Sequence, residues 1–126
     1  MRAAIYLRLS KEDKQESIEN QRALLRKYAN DHSFSVVKEY TDEAISGLTD
    51  TRPGFAKMMD DARQGHFDVI LAKNQSRFSR NFLHIEQYLH RELPHLNIRF
   101  IGVTDGVDTG KINNIAVRRS GKKTRQ

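Results

Sequence analysis

The sequence of 126 residues predicts a single α/β domain, with an open, mostly parallel sheet of four to five strands and helices on both faces. Two observations predict this class. Segments with strand-like hydrophobic patterns alternate along the chain with segments of helical spacing, beginning and ending on a strand. One of the strands, FDVILA at residues 67–72, is almost continuously apolar, which is typical of a central parallel strand covered on both faces.

Four strands and three helices are predicted in chain order. Apolar residues that alternate or run together place the strands at residues 3–10, 34–40, 67–72 and 98–103. The first helix begins after Ser17, which can cap it, and its apolar stripe continues to about residue 30. The second begins at Pro53, which suits a first helical turn, and ends at Gly65. The third begins near residues 79–81 and ends at Pro94.

Two stretches lack a pattern. Residues 41–51 are polar and irregular, which predicts a loop, and no element is predicted beyond residue 105. We therefore expect residues 1–105 to form the folded domain and residues 106–126 to form a basic, poorly ordered tail. Residues 1–110 carry 16 Lys and Arg against 16 Asp and Glu, so the net charge of +6 lies entirely in residues 111–126. Because the body is not basic, the charge alone is a weak argument for binding nucleic acid.

Composition also excludes several classes of protein. The chain has no cysteine, so it forms neither a disulfide framework nor a thiolate metal site. It has no long apolar run and no signal-type N-terminus, which predicts a cytoplasmic protein with no membrane partner.

Residues capable of chemistry follow the predicted strands at their carboxyl ends. In an open parallel sheet these ends gather on one edge, where the site forms. That edge is expected to combine serines with permanent cations: Arg8, Ser10, Arg52, Ser76, Arg77 and Arg80. Guanidinium groups bind phosphate oxygens bidentately and keep their charge at any physiological pH. The sequence therefore predicts a site for a phosphate or phosphodiester, with Ser10 as the candidate nucleophile.

Other chemistries find less support. The chain has neither a P-loop pattern nor a G-x-S-x-G elbow, and its five histidines lie away from the predicted strand ends. Acidic loop residues such as Asp42 and Asp105 could in principle hold Mg²⁺, but we predict no metal and no other cofactor. No residue is an obvious proton acceptor for Ser10, so its deprotonation would need help from an arginine or from the substrate.

Four sequence blocks, in the same order, resemble those of the serine site-specific recombinases, the resolvase/invertase family. YLRLS at residues 6–10 is similar to that family's Tyr-x-Arg-x-Ser signature, and IENQR at residues 18–22 resembles the segment with its active-site glutamine. DEAISG at residues 42–47, followed by TRPGF at 51–55, resembles the second block, and SRFSR at 76–80 resembles the Asp/Ser-Arg-x-x-Arg block.

The resemblance assigns a role to each site residue. It implies that Ser10 is the nucleophile, that Gln21 is the active-site glutamine, and that four arginines bind the phosphate: Arg8, Arg52, Arg77 and Arg80. Tyr6 and Ser76 support this site. It further implies that the serine cleaves DNA, forms a 5′-phosphoserine link with a free 3′ hydroxyl, and reseals the strand by the reverse step without cofactor or ATP. Family members act as dimers and tetramers, so we expect DNA and self-association as partners of the full-length protein.

Two departures from the family pattern refine the prediction. Ser76 stands where the small resolvases have an aspartate, a candidate proton acceptor, and the serine form is similar to the large recombinases of mobile elements. The chain also ends about where the family's long helix begins. We therefore expect an isolated catalytic domain that is inactive in full recombination, from a bacterial cytoplasmic protein that associates with the nucleoid when it binds DNA.

Two other functions are compatible with the same residues. A non-catalytic α/β module for regulation or oligomerisation could bind phosphate with these arginines and form no adduct. A small phosphodiesterase could use them on free substrates.

Overall fold

The computed structural model describes residues 1–10, 17–45, 52–78, 83 and 85–110, without the side chains of residues 10, 44 and 45. Five strands lie within these ranges: β1 (Arg2–Ser10), β2 (Ser35–Ile45), β3 (Val69–Ala72), β4 (Arg99–Gly102) and β5 (Val107–Asp108). The helical segments are α1 (Ile18–Asp31), α2 (Pro53–Arg63), a single turn α3 (Gln75–Phe78), the π-helical α4 (Ile85–Glu92) and the short α5 (Leu93–His95).

The described strands form one sheet in the order β2-β1-β3-β4-β5. The first four strands in this order run parallel, and β5 pairs antiparallel with β4. Parallel neighbours need crossover connections, which the helices provide. The predicted fold class, an open and mostly parallel α/β sheet, is therefore confirmed.

The alternation of side chains along β1 divides the core into two layers. Ala4 and Tyr6 face a cluster that includes residues of α2 and α4, whereas Ile5 and Leu7 face a second cluster that includes Leu25 of α1. All of β3 is fully buried, as expected for a strand with helices on both of its faces. Among the described residues, no helix is long and apolar enough to cross a membrane.

Local signals set the bounds of the first two helices. The hydroxyl of Ser17 accepts a hydrogen bond from the N–H of Asn20 at 3.0 Å, so Ser17 is the N-cap of α1 as predicted. Pro53 is the first residue of α2, and Gly65 lies two residues after its end with a φ of +77°, a conformation that glycine adopts without steric cost.

The structure departs from the sequence prediction in β2 and at the end of the sheet. The loop predicted from residue 41 onwards is wrong up to Ile45, because Thr41, Asp42 and Glu43 pair with β1 and extend β2. Beyond residue 105, β5 adds a fifth strand that no pattern predicted. The turn α3 begins ahead of the predicted start of the third helix; that start, at 79–81, and the rest of the predicted tail, 111–126, lie outside the described residues.

Candidate active site

The candidate active site lies at the carboxyl end of β1. Arg8 and Ser10 are among the last three residues of β1, and the backbone of Ser10 pairs with that of Ile45 in β2. The chain after β3 turns into α3, which carries Ser76 and Arg77, and α2 begins just after Arg52. Three chain segments that are distant in sequence thus converge on this edge, as the rule for parallel sheets predicts.

Asp42 joins β1, β2 and α2 at this edge. Its carboxylate is 2% exposed and accepts hydrogen bonds from the Tyr6 hydroxyl at 2.8 Å, the Gly54 N–H at 2.8 Å and the Phe55 N–H at 2.9 Å. Helix α2 therefore has no cap from its own N-cap residue, Arg52, but receives one from the neighbouring strand. An anionic acceptor also suits the positive end of the helix dipole.

The position of Gly54 is explained by the same contact. A Cβ atom on this residue would lie 2.7 Å from the main-chain oxygen of Thr41 and 3.0 Å from the Asp42 carboxylate. Only a residue without a side chain lets α2 begin so close to β2. In the sequence TRPGF, the glycine thus allows α2 to begin against β2, which places Arg52 next to this strand.

Tyr6 acts as a hydrogen-bond donor in the site. Burial, with the Asp42 carboxylate beside it, raises the pKa of the Tyr6 hydroxyl well above its usual value, although the nearby Arg52 opposes the shift. The hydroxyl therefore stays protonated at neutral pH, donating to Asp42 rather than accepting a proton.

Arg52 is held by three neighbours. Its Nη1 donates to the Phe78 carbonyl oxygen at 2.5 Å and lies 3.5 Å from the Tyr6 hydroxyl. Its guanidinium carbon lies 4.1 Å from the ring centroid of Phe55, a cation–π distance. The side chain is half-buried, so the cation is fixed in place and still reachable from solvent.

The turn α3 is organised by Asn74, which precedes it. The Asn74 side-chain oxygen accepts from the Arg77 N–H at 3.0 Å and from the Ser76 hydroxyl at 2.8 Å. Arg77 is 8% exposed, and Arg8 from β1 reaches the turn with its Nη1 3.4 Å from the Ser76 carbonyl oxygen. The guanidinium groups of Arg8 and Arg52 thus both donate to main-chain oxygens of α3.

Gln21 contacts β1 from α1. It is fully buried, its Nε2 donates to the Arg8 carbonyl oxygen at 2.9 Å, and its Oε1 accepts from the Arg8 N–H at 3.3 Å. Both ends of the amide are used on the main chain of Arg8. Gln21 therefore fixes the backbone at Arg8, two residues before Ser10.

The structure brings together most of the residues that the sequence predicted for the site. Tyr6, Arg8, Gln21, Arg52, Ser76 and Arg77 lie at one edge of the sheet. The backbone of Ser10 ends β1 at that edge, and its side chain, like all of Arg80, lies outside the described residues. Among the described residues no group of three or more His, Asp or Glu side chains is placed to hold a metal ion.

Sequence reasoning missed two residues of this network. The sequence suggests Asp42 as a possible metal ligand and as part of the DEAISG block, and it assigns no role to Asn74. The sequence holds one usable signal for each: an acidic residue on the strand before a Pro-Gly helix start, and an asparagine immediately before a helical turn.

Comparison with known proteins agrees with this geometry. Residues 3–118 match the family described as Resolvase, N terminal domain. Among solved structures, the N-terminal catalytic domain of TP901-1 integrase is 27% identical, with a TM-score of 0.75, covering 97% of this chain and 100% of that one.

Two further structures resemble the chain. The C-terminal catalytic domain of ISC1926 TnpA, an IS607-like serine recombinase, is 27% identical with a TM-score of 0.70, covering 94% of this chain and 80% of that one. A resolvase family site-specific recombinase from Streptococcus pneumoniae is 22% identical with a TM-score of 0.71, covering 95% and 92% respectively, and shows the fold alone.

The fold and the family match define a serine recombinase catalytic domain. The chain belongs to the resolvase N-terminal domain family, and its function is that of the catalytic domain of a site-specific DNA recombinase. It is thus an enzyme whose substrate is DNA, and cleavage through a covalent phosphoserine is the general property of that family.

Proposed function

We propose that Ser10 is the nucleophile of this recombinase and that Arg8, Arg52, Arg77 and Arg80 bind the scissile phosphate. The Ser10 oxygen forms a bond to phosphorus while the bond from phosphorus to the 3′ oxygen breaks. The 5′ end stays on the serine, and the 3′ oxygen leaves as a hydroxyl after taking up a proton. The reverse step, attack by a 3′ hydroxyl on the serine ester, reseals the strand and returns the proton to Ser10.

The single observation that carries this proposal is the convergence of Arg8 and Arg52 on α3. Both guanidinium groups donate to main-chain oxygens of the turn that carries Arg77, so three cations from separate segments share one small region beside the end of β1. Positive charge fixed in advance stabilises the charge on the non-bridging phosphate oxygens in the transition state.

Three further residues support the reacting groups in this proposal. Gln21 holds the backbone of β1, Tyr6 links Arg52 to the Asp42 carboxylate, and the Ser76 hydroxyl anchors α3 through Asn74. We assign these residues to positioning, since each contacts a neighbour in the described structure through the group that it would offer to a substrate.

The wider assignment follows the same relatives. Likeness to an integrase over its whole catalytic domain, together with Ser76 in place of an aspartate, supports a large serine recombinase of a mobile element. We propose that the full-length protein dimerises and forms tetramers on its recombination site, and that it works in the bacterial cytoplasm on the nucleoid.

The test is the Ser10→Ala substitution in a recombinase that carries this chain as its catalytic domain. Incubation with DNA containing the recombination site, followed by denaturing electrophoresis, reports the covalent protein–DNA adduct. We expect adducts in the parent and none in Ser10→Ala. Ser35→Ala, at the opposite end of the sheet, is the matched control and should form adducts normally. Adducts that persist in Ser10→Ala would exclude this serine as the nucleophile.

A further inference from the structure

We propose that Asp105, in the turn between β4 and β5, is a positioning residue for the recombination reaction. It holds α3 in place from the turn that follows β4, the strand next to β3, and α3 in turn carries Arg77 and supplies the carbonyl oxygens that Arg8 and Arg52 contact. This inference rests on the proposed role of those arginines as phosphate ligands.

Hydrogen bonds join the turn after β4 to the segment after β3. The Val103 N–H donates to the Ala72 carbonyl at 3.0 Å, and the Thr104 N–H and hydroxyl donate to the Lys73 carbonyl at 2.8 and 2.9 Å. Further along the same two segments, the Gln75 N–H donates to Asp105 Oδ2 at 2.8 Å. The first N–H of α3 is therefore bound by a carboxylate from the turn between β4 and β5.

Gly102 leaves the space for this contact. A Cβ atom at this position would lie 2.4 Å from Asp105 Oδ1 and 3.3 Å from the Gln75 nitrogen. Because the carboxylate is the movable partner, any side chain at position 102 would push Asp105 away from Gln75. Gly102 at the end of β4 thus leaves the space that Asp105 needs to accept from the Gln75 N–H.

A single helical turn needs such anchors to keep its geometry. Four residues cannot sustain a helix by themselves, and the first N–H groups of a helix have no partner within it. Asn74, which precedes the turn, accepts from the Arg77 N–H, whereas Asp105, in the turn between β4 and β5, accepts from the Gln75 N–H. Asp105 therefore ties the arginine-bearing turn to the sheet, and its loss should loosen the turn without unfolding the domain.

The direct test is amide hydrogen exchange of this chain, read by NMR at Gln75 and Arg77. Asp105→Ala should speed exchange at Gln75 by about tenfold or more, because it removes a charged acceptor. Asp105→Asn, which keeps one acceptor oxygen, should restore most of the protection. Asp31→Ala, which removes an exposed carboxylate at the end of α1, is the matched control and should leave Gln75 unchanged. Unchanged exchange at Gln75 in Asp105→Ala would overturn the proposal.

The second test separates positioning from general stability. In a recombinase that carries this chain, Asp105→Ala should slow adduct formation on saturating site DNA by about tenfold, with rescue in Asp105→Asn. Gly102→Ala should reproduce Asp105→Ala, and the double variant should be no slower than either single variant. Additive effects of the two substitutions would contradict the proposal that Gly102 and Asp105 act through the same contact with Gln75.

The outcomes distinguish this inference from the function on which it rests. Suppose that Asp105→Ala speeds amide exchange at Gln75 while Arg77→Ala forms adducts at the parent rate. Arg77 is then not a phosphate ligand, and the proposed function fails at that residue. If Arg77→Ala is inactive while Asp105→Ala loosens the turn and reacts at the parent rate, Asp105 is not a positioning residue.

Discussion

The buried carboxylate of Asp42 offers the sharpest test of how the site is held. Three donors bind it. Two of them, the Tyr6 hydroxyl and the Phe55 N–H, are buried, so water cannot replace the carboxylate as their acceptor. A buried donor left without an acceptor costs about 1–3 kcal/mol. Asp42→Ala should therefore lower the free energy of unfolding by about 2–6 kcal/mol, a large part of the 5–15 kcal/mol that is typical of a domain.

Asp42→Asn gives a smaller and more informative effect. The remaining oxygen can accept from both the Tyr6 hydroxyl and the Phe55 N–H, which share Oδ2 in the structure. The new amide group then faces the part-buried Gly54 N–H, donor against donor. The loss of this one hydrogen bond should lower the free energy of unfolding by about 1–3 kcal/mol.

Urea unfolding at neutral pH measures both Asp42 variants. Asp60→Asn changes an exposed carboxylate on α2 and is the matched control, with an expected effect within about 0.5 kcal/mol. Because Asp42 sets the start of α2, both Asp42 variants should also slow adduct formation through Arg52. An Asp42→Ala protein as stable as the control would refute the reasoning, since it would mean that the three donors find other acceptors.

Two more substitutions test contacts on either side of the sheet. The Tyr40 hydroxyl donates to the buried Asp61 at 2.6 Å, and this hydrogen bond, against the effect of burial, holds the pKa of the Asp61 carboxyl below its usual value. The ionised carboxylate therefore stabilises the fold at pH values above about 4, and this contribution is lost as the pH falls through the lowered pKa. Tyr40→Phe should make urea unfolding less dependent on pH below about pH 4. Gln21→Leu should cost about 1–3 kcal/mol and speed amide exchange at Arg8, since the main chain of Arg8 loses the contacts of the buried amide.

Each of these two predictions has an outcome that contradicts it. A Tyr40→Phe protein whose stability falls with acid as steeply as that of the parent would show that Tyr40 does not set the pKa of Asp61. For the second substitution, Gln64→Leu, at an exposed position after α2, is the control. If the Arg8 N–H is equally protected from exchange in Gln21→Leu and Gln64→Leu, the Gln21 side chain does not hold β1.

The sequence predicts the elements whose signals are local. The alternation of residues 3–10, the Ser17 cap and the proline at the start of α2 each act within a few residues, so the pattern and the structure agree. The placement of Arg8, Arg52 and Arg77 on one edge was also predictable, because a parallel sheet gathers the carboxyl ends of its strands there.

Elements that depend on distant partners could not be predicted in this way. Residues 41–45 have a polar, irregular sequence, and they become part of β2 because β1 offers a full row of backbone partners. The two residues of β5 pair with Ile101 and Gly102 of β4, and the Arg99 guanidinium donates to the Asp108 carboxylate, so β5 depends on partners elsewhere in the chain. Asp42 belongs to the same class, since its role depends on three donors that lie 36, 12 and 13 positions away along the chain.

The contacts of Arg8 and Arg52 with the carbonyl oxygens of α3 have a consequence for how DNA is recognised. In the absence of substrate these cations already have acceptors, so under the proposed role of Arg8 and Arg52 as phosphate ligands, binding a phosphodiester would replace one set of oxygens with another. The number of hydrogen bonds changes little in this exchange, and the gain comes from the formal negative charge of the phosphate. We expect affinity for the backbone to depend steeply on ionic strength, and neutral analogues such as methylphosphonates to bind poorly even where their shape fits.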